Sequence, residues 1–228
     1  AGTDLGKAAW NPEDPVFWEG GASRIARRAL GITTAGLTLS FATWFMWSAI
    51  VVKLPDLGFA LSVSQRFLLT AVPGLVGATL RIPYSFIVQM FGTRPVVTLA
   101  TASLLIPSIG VGLAVQNPRT PFWVLVALAC AAGFGGGNFS AFMSSTSLFY
   151  PRARQGAALG VQAGIGNLGV SIVQFTTPLV IGGAVFGALG GDPLRNTVTG
   201  KDLWVQNAAF LWVIPVAVVT LLAALFLR

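Results

Sequence analysis

Histidine is absent from this sequence and cysteine occurs once, at Cys130. Without them the chain has no internal disulfide framework, no Cys/His zinc spacing and no Ser-His or Cys-His nucleophile pair. Most enzyme classes lose their chemistry at that step, so the chain is read as a non-enzyme with no cofactor and no metal. Charge is scarce as well: 9% of the 228 residues are charged, against about 25% in an ordinary soluble domain. Lys and Arg number 14 against 7 Asp and Glu, but they are too few and too scattered for nucleic acid to be the partner. A composition that is 54% hydrophobic excludes a soluble globular domain and points to membrane lipid as the surrounding medium.

What the sequence does contain is long apolar runs. A span of roughly 20 mostly apolar residues crosses a hydrocarbon core about 30 Å thick. Six segments qualify: Ile32 to Val52, Phe67 to Val88, Pro95 to Val115, Phe122 to Phe149, Gly156 to Gly187 (chiefly its first two-thirds) and Ala208 to Leu227. The expected fold is therefore an all-α polytopic membrane protein. Its expected division is a tail over 1–31 and a six-helix transmembrane bundle over 32–228.

The first 30 residues are polar and mixed in charge, unlike a cleavable signal peptide. Pro15, Val16, Phe17 and Trp18 precede Arg24, Ile25, Arg27 and Arg28, a mixture suited either to the headgroup level or to a partly ordered tail. An even number of spans puts both ends on one side. That side carries Lys7, Arg24, Arg27, Arg28, Arg94, Arg152, Arg154 and Arg228, eight against the five of Lys53, Arg66, Arg119, Arg195 and Lys201. The positive-inside bias thus predicts that both termini are cytoplasmic.

One cation remains: Arg81 lies within the second span, in Gly77-Ala-Thr-Leu-Arg-Ile-Pro-Tyr-Ser85. Arg at a helix centre costs about 2.5 to 3.5 kcal/mol even on the insertion scale. No carboxylate is available to offset that, because Asp4, Glu13, Asp14, Glu19, Asp56, Asp192 and Asp202 all sit in the tail or loops. A planar, permanently charged fork suits a small planar oxyanion entering from water. The alternative is that Arg81 snorkels, or is satisfied by carbonyls freed at Pro83 and by nearby hydroxyls.

Glycine forms the second constellation. Span four contains Gly133, Gly135, Gly136 and Gly137, followed by Asn138 and Phe139, and span five contains Gly156, Gly160, Gly164, Gly166 and Gly169. Residues 156, 160 and 164 share one helical stripe and 162, 166 and 169 another, so close approach to neighbours is expected on two sides. Taken singly, each glycine is equally compatible with plain small-residue packing. Asn167 suits either contact with an anion or a bridge between helices, and Asn138 more readily the bridge. The aromatic run Phe41-Ala-Thr-Trp44-Phe-Met-Trp47 has members that wall a flat anion, but periodicity does not say which.

These stretches, Leu80-Arg-Ile-Pro-Tyr-Ser-Phe86, Gly-Phe-Gly-Gly-Gly-Asn-Phe139 and Gly156-Ala-Ala-Leu-Gly-Val-Gln-Ala-Gly-Ile-Gly-Asn-Leu-Gly169, together with the tail Asn11-Pro-Glu-Asp-Pro-Val-Phe-Trp18, resemble the NarK-type nitrate/nitrite porters of the major facilitator superfamily. The resemblance implies a bacterial inner (cytoplasmic) membrane location and exchange of nitrate for nitrite. It implies that Arg81 binds the anion, that Asn167 hydrogen-bonds it, and that Phe41 and Phe139 sandwich it. The family has twelve spans in two bundles related by an axis along the membrane normal, with the site between them. This sequence matches the first bundle, so a second six-helix bundle is expected as partner: a missing half, a second chain or another copy of this one. Proton-coupled nitrate symport and a half-length, non-transporting membrane module are the competing readings.

The topology has a direct check. A cysteine placed in the Gly190 to Asn207 loop is expected to react with an impermeant thiol reagent from outside the cell, and one placed beside Arg152 is not. The reverse labelling pattern overturns the orientation.

Overall fold

The computed structural model describes residues 10–227; Asp4, Lys7 and Arg228 of the charge assignment lie outside the described residues. Six helices are long and apolar enough to cross a membrane: α1 (Pro15–Val51), α2 (Val63–Phe91), α3 (Thr93–Ala114), α4 (Phe122–Phe149), α5 (Arg152–Ile181) and α6 (Asn207–Phe226). They match the six expected spans and form one bundle.

The largest difference in bounds is at the start. The Asp14 carboxylate accepts from the Val16 N–H at 2.9 Å with Pro15 in the first helical position, so α1 begins there, well ahead of Ile32. A π-helical turn at Trp18–Ala22, with Gly21 at φ 131°, joins this first turn to the long run Ser23–Val51. The segment docks on the α4–α5 turn. Trp10 Nε1 donates to the Leu148 carbonyl at 3.1 Å and its ring meets Phe149 edge-on. The Glu13 carboxylate accepts from the Arg152 N–H at 2.9 Å and so caps the start of α5. Burial pushes the Tyr150 phenol in this turn above its ordinary pKa, and the charge of Arg27 pulls it partly back.

Helix α2 opens with a reciprocal cap: Ser62 Oγ accepts from Gln65 N, and Gln65 Oε1 accepts from Ser62 N. It continues as one helix through Pro73 and Pro83. Helix α3 is interrupted at Ser103 and Leu104, and α4 at Gly133. Helix α1 is the most deeply buried of the six and packs most extensively against α5 and α4, while α2 packs on α4 and α6 on α3 and α1. Trp47, Phe142, Leu37 and Met46 are fully buried at this centre. The Trp47 indole donates to the Leu69 carbonyl at 2.8 Å, which satisfies its buried N–H and ties α1 to α2.

The α5–α6 connection holds the only strands among the described residues, β1 (Leu194–Arg195) and β2 (Asp202–Leu203), paired antiparallel with Leu194 opposite Leu203. Asn196 Oδ1 accepts from the N–H groups of Val198 and Thr199 and so folds the hairpin turn locally. The hairpin is a small departure from the all-helical expectation and lies outside the bundle.

The two glycine stripes of α5 have opposite environments. A Cβ at Gly169 would strike the Thr38 carbonyl of α1, and one at Gly166 would meet Leu37 Cδ2 at 2.6 Å. Nothing lies within 4 Å of a Cβ at Gly156, Gly160 or Gly164. Close approach on two sides is therefore corrected to one: within this chain only the Gly166 and Gly169 stripe is packed, because α1 occupies a single flank of α5.

Alanine substitutions separate the stripes by sign. In the chain in detergent, Gly160→Ala is expected to raise the melting temperature, since it recovers up to about 1 kcal/mol of helix propensity. Gly169→Ala is expected to lower it, because a methyl group against backbone overpacks the seam by about 1 to 3 kcal/mol. Shifts of the same sign would contradict the packing.

Candidate functional site

The site is built on a seam where two backbones nearly touch. A Cβ at Gly77 of α2 would lie 3.1 Å from the Gly133 carbonyl oxygen and 3.1 Å from Gly136 Cα on α4. Gly133 meets the Pro73 carbonyl and Val76 in the same way, and Gly137 would place a Cβ 2.7 Å from Leu80 Cβ. On the other side of α4, Gly135 faces the Ser40 carbonyl of α1. The four signature glycines of span four thus let α4 sit against α2 and α1 at once, with no room for a side chain at any of them.

Arg81 is one turn along from Gly77. Its Nε donates to the Gly136 carbonyl at 3.1 Å, and its guanidinium carbon lies 5.0 Å from the centroid of the Phe139 ring. That carbonyl and the ring face offset the loss of hydration of a half-buried cation. The carbonyls freed by Pro83 are not what holds it. Among the described residues the bond from Nε is its one hydrogen bond, so both terminal amino groups keep their donors free. Phe139 meets Phe41 edge-on with centroids 6.1 Å apart, and Phe41 stacks on Trp44 at 5.9 Å. Arg81, Phe139 and Phe41 are therefore together. The resulting geometry is a forked cation with unused donors, backed by aromatic rings, within the membrane-crossing helix α2.

Asn167 is not joined to this group. It is exposed on α5, and its Nδ2 donates to the Ala163 carbonyl at 2.8 Å within its own helix, which is neither an anion contact nor a bridge to another helix. Asn138 is the bridge: fully buried, its Nδ2 donates to Ser40 Oγ at 3.1 Å on α1 and to the Ala100 carbonyl at 2.9 Å on α3. Gly160 and Gly164 lie on the open face of α5, away from any packed seam. Trp44 and Gly77 were not singled out from sequence. Gly77 carries a signal in hindsight, because it sits four residues before Arg81 and so shares its stripe.

Helices α2 and α5 leave their remaining faces uncovered, with Phe67, Leu75 and Ile82 exposed on one and Val161, Leu168 and Phe175 on the other. Six apolar helices in one bundle, with a lone intramembrane arginine on a glycine seam, define a polytopic integral membrane protein. No protein-family model matches the chain. It is 55% identical to the probable nitrate/nitrite antiporter NarK2 of Thermus thermophilus over 96% of its own length and 49% of that relative. It is 45% identical to the nitrate/nitrite transporter NarU of Escherichia coli (strain K12), over 94% of its length and 46% of the relative. Identity to NarU of Salmonella typhimurium is 48%, over 94% of the chain and 46% of the relative. The chain belongs to the NarK-type nitrate/nitrite porter family, and it spans about half the length of the curated relatives it matches.

The assignment of Asn138 to the scaffold is testable. Asn138→Ala breaks two buried hydrogen bonds, to Ser40 Oγ and to the Ala100 carbonyl, which is expected to lower stability by about 1 to 3 kcal/mol. The measurement is thermal unfolding in detergent. An unchanged midpoint would remove Asn138 from the scaffold.

Proposed function

We propose that this chain forms the N-terminal half of a transporter that exchanges nitrate for nitrite by alternating access, with Arg81 as the anion-binding group. The observation that carries the reading is the guanidinium of Arg81, whose Nε is occupied by the Gly136 carbonyl while its terminal amino groups make no hydrogen bond among the described residues. A planar oxyanion takes two parallel hydrogen bonds from such a fork. The rings of Phe139 and Phe41 then wall the anion, and their apolar surfaces keep water from screening the charge. The Asn167 amide gives one of its two N–H donors to the Ala163 carbonyl and keeps the other for the anion.

The other half of the site is supplied by a second six-helix bundle that covers the open face of α2 and, on α5, the bare stripe of Gly156, Gly160 and Gly164, which is separate from the stripe of Val161 and Ile165 and permits close approach. Substrates and partners are accordingly nitrate, nitrite, membrane lipid and that second bundle, with no nucleic acid. The work is positioning, so the protein is not an enzyme. The N-terminal segment, helical from Pro15 onward, lies on the cytoplasmic side and leads into the bundle. Both termini face the cytoplasm of a bacterial inner membrane.

Exchange is favoured over proton symport by what the membrane interior holds. From Ile32 to Val52 and throughout α2 to α6 there is no Asp, Glu or His to carry a coupled proton. The test uses vesicles reconstituted with the complete two-bundle transporter. Nitrate uptake is expected to require nitrite or nitrate inside and to respond little to an imposed pH gradient, whereas acid-driven uptake into empty vesicles would favour symport. In the same assay Arg81→Lys keeps the charge and loses the fork. One charged hydrogen bond contributes about 1.5 to 3 kcal/mol, so nitrate affinity is expected to fall tenfold or more. Wild-type affinity in that variant would return Arg81 to a structural role.

A further inference from the structure

A second cavity, of about 380 Å³, lies between α1 and α5 at the end of the bundle that carries the N-terminal segment, lined by Arg27, Leu30, Gly31, Thr34, Val161 and Ile165 among others. Arg81, Phe139 and Phe41 do not line it. Arg28, Gly31 and Ala35 follow i, i+3, i+7 spacing and so share one stripe of α1; Ala35 also lines the cavity. The Arg28 guanidinium sits 5.5 Å from the centroid of Phe226 at the end of α6. Thr33 and Gly36 of α1 face α4 through Thr146 and Phe142, so the cavity lies on another side of α1.

Its chemistry changes along its length. At the mouth is Arg27, exposed, with Arg24 exposed one turn before it. The charged neighbours are otherwise engaged: Arg28 lies against Phe226 and Arg154 against Trp18. The nearby Tyr150 phenol is held in its neutral form by burial and offers Arg27 no counter-charge. Deeper, the walls are Leu30, Ala35, Val161 and Ile165. The Thr38 hydroxyl donates to the Thr34 carbonyl, and the Thr34 hydroxyl is buried without a hydrogen-bond partner. From Arg27 to Thr38 the helix rises about 16 Å, which matches the roughly 15 Å depth of one leaflet's hydrocarbon.

A free small oxyanion needs donors around it, and this cavity offers charge only at the mouth. We infer that the cleft between α1 and α5 is a binding site for an anionic glycerophospholipid, its phosphate against Arg27 at headgroup level and an acyl chain along Leu30, Gly31, Val161 and Ile165. Such a lipid sits where the N-terminal segment, α1 and α5 meet, so it joins the elements that brace the α4–α5 turn.

The experiment is native mass spectrometry of the complete transporter, stripped of lipid in detergent and titrated with phosphatidylglycerol or with phosphatidylcholine of the same chains. Wild-type protein is expected to prefer phosphatidylglycerol at least fivefold, since a basic residue near the surface contributes about that factor. Arg27→Gln is expected to abolish the preference while leaving binding of phosphatidylcholine unchanged. Gly31→Leu is expected to weaken both lipids, because a side chain there meets no protein atom within 4 Å of its Cβ and grows into the cleft. Melting temperatures of both variants check that the fold is intact. Equal binding of the two lipids by wild type, or unaltered binding of both by Gly31→Leu, overturns the site. Displacement of phosphatidylglycerol by inorganic phosphate at equal concentration would also overturn it, in favour of a free-anion site. None of these readouts involves nitrate, so the lipid site stands or falls separately from the transport reading.

Discussion

The contact of Gly77 with Gly133 and Gly136 is the constraint on which the rest of the site depends. Two helices approach at backbone distance there, with a would-be Cβ only 3.1 Å from its neighbours. That proximity brings the Gly136 carbonyl within reach of Arg81 one turn further on. A membrane-embedded guanidinium must find partners for its donors, and lipid provides none. The seam supplies one acceptor, and Phe139 adds a ring face, so the charge is held on α4 and not drawn to the surface. Because the acceptor takes Nε alone, the terminal fork stays available. Closeness of backbones, not any acidic partner, is what makes a lone intramembrane arginine tolerable in this bundle.

The same device repeats on α1. Gly135 meets the Ser40 carbonyl, Gly166 meets Leu37, and Gly169 meets Thr38 and Ala42. With small residues on both α4 and α5, α1 is enclosed at the centre, and Asn138 adds polar bonds from α4 to α1 and α3. A core held together by close backbone packing and a few buried hydrogen bonds is the expected solution in lipid, where apolar burial between helices supplies little driving force. The consequence is a bundle that is tight internally yet leaves the outer faces of α2 and α5 bare.

At the end of the bundle that carries the N-terminal segment, packing changes character. Trp10, Trp18, Phe149 and Tyr150 form an aromatic cluster, joined by Arg154 and capped by the Glu13 bond to the Arg152 N–H. Amphipathic side chains of this kind belong at a membrane surface, where one end is apolar and the other wet. They hold the first turn of α5 in place and line up the cleft whose mouth is Arg27.

Much of this was legible from residue order alone. Six runs of sufficient length and apolarity dictate six membrane-crossing helices, because hydrophobic thickness sets a minimum length. The absence of any carboxylate near Arg81 marks it as a candidate site residue, because an unpaired charge in a membrane demands a reason. Helical periodicity correctly grouped Gly156, Gly160 and Gly164 on one stripe and Gly166 and Gly169 on another, yet only the tertiary structure decided which stripe α1 covers. Periodicity fixes which residues share a face, not what lies opposite it. Nor does residue type reveal that Asn167 satisfies its own helix while Asn138 ties three helices together. A carboxamide takes whichever acceptor is in reach, and reach is a property of the packed bundle.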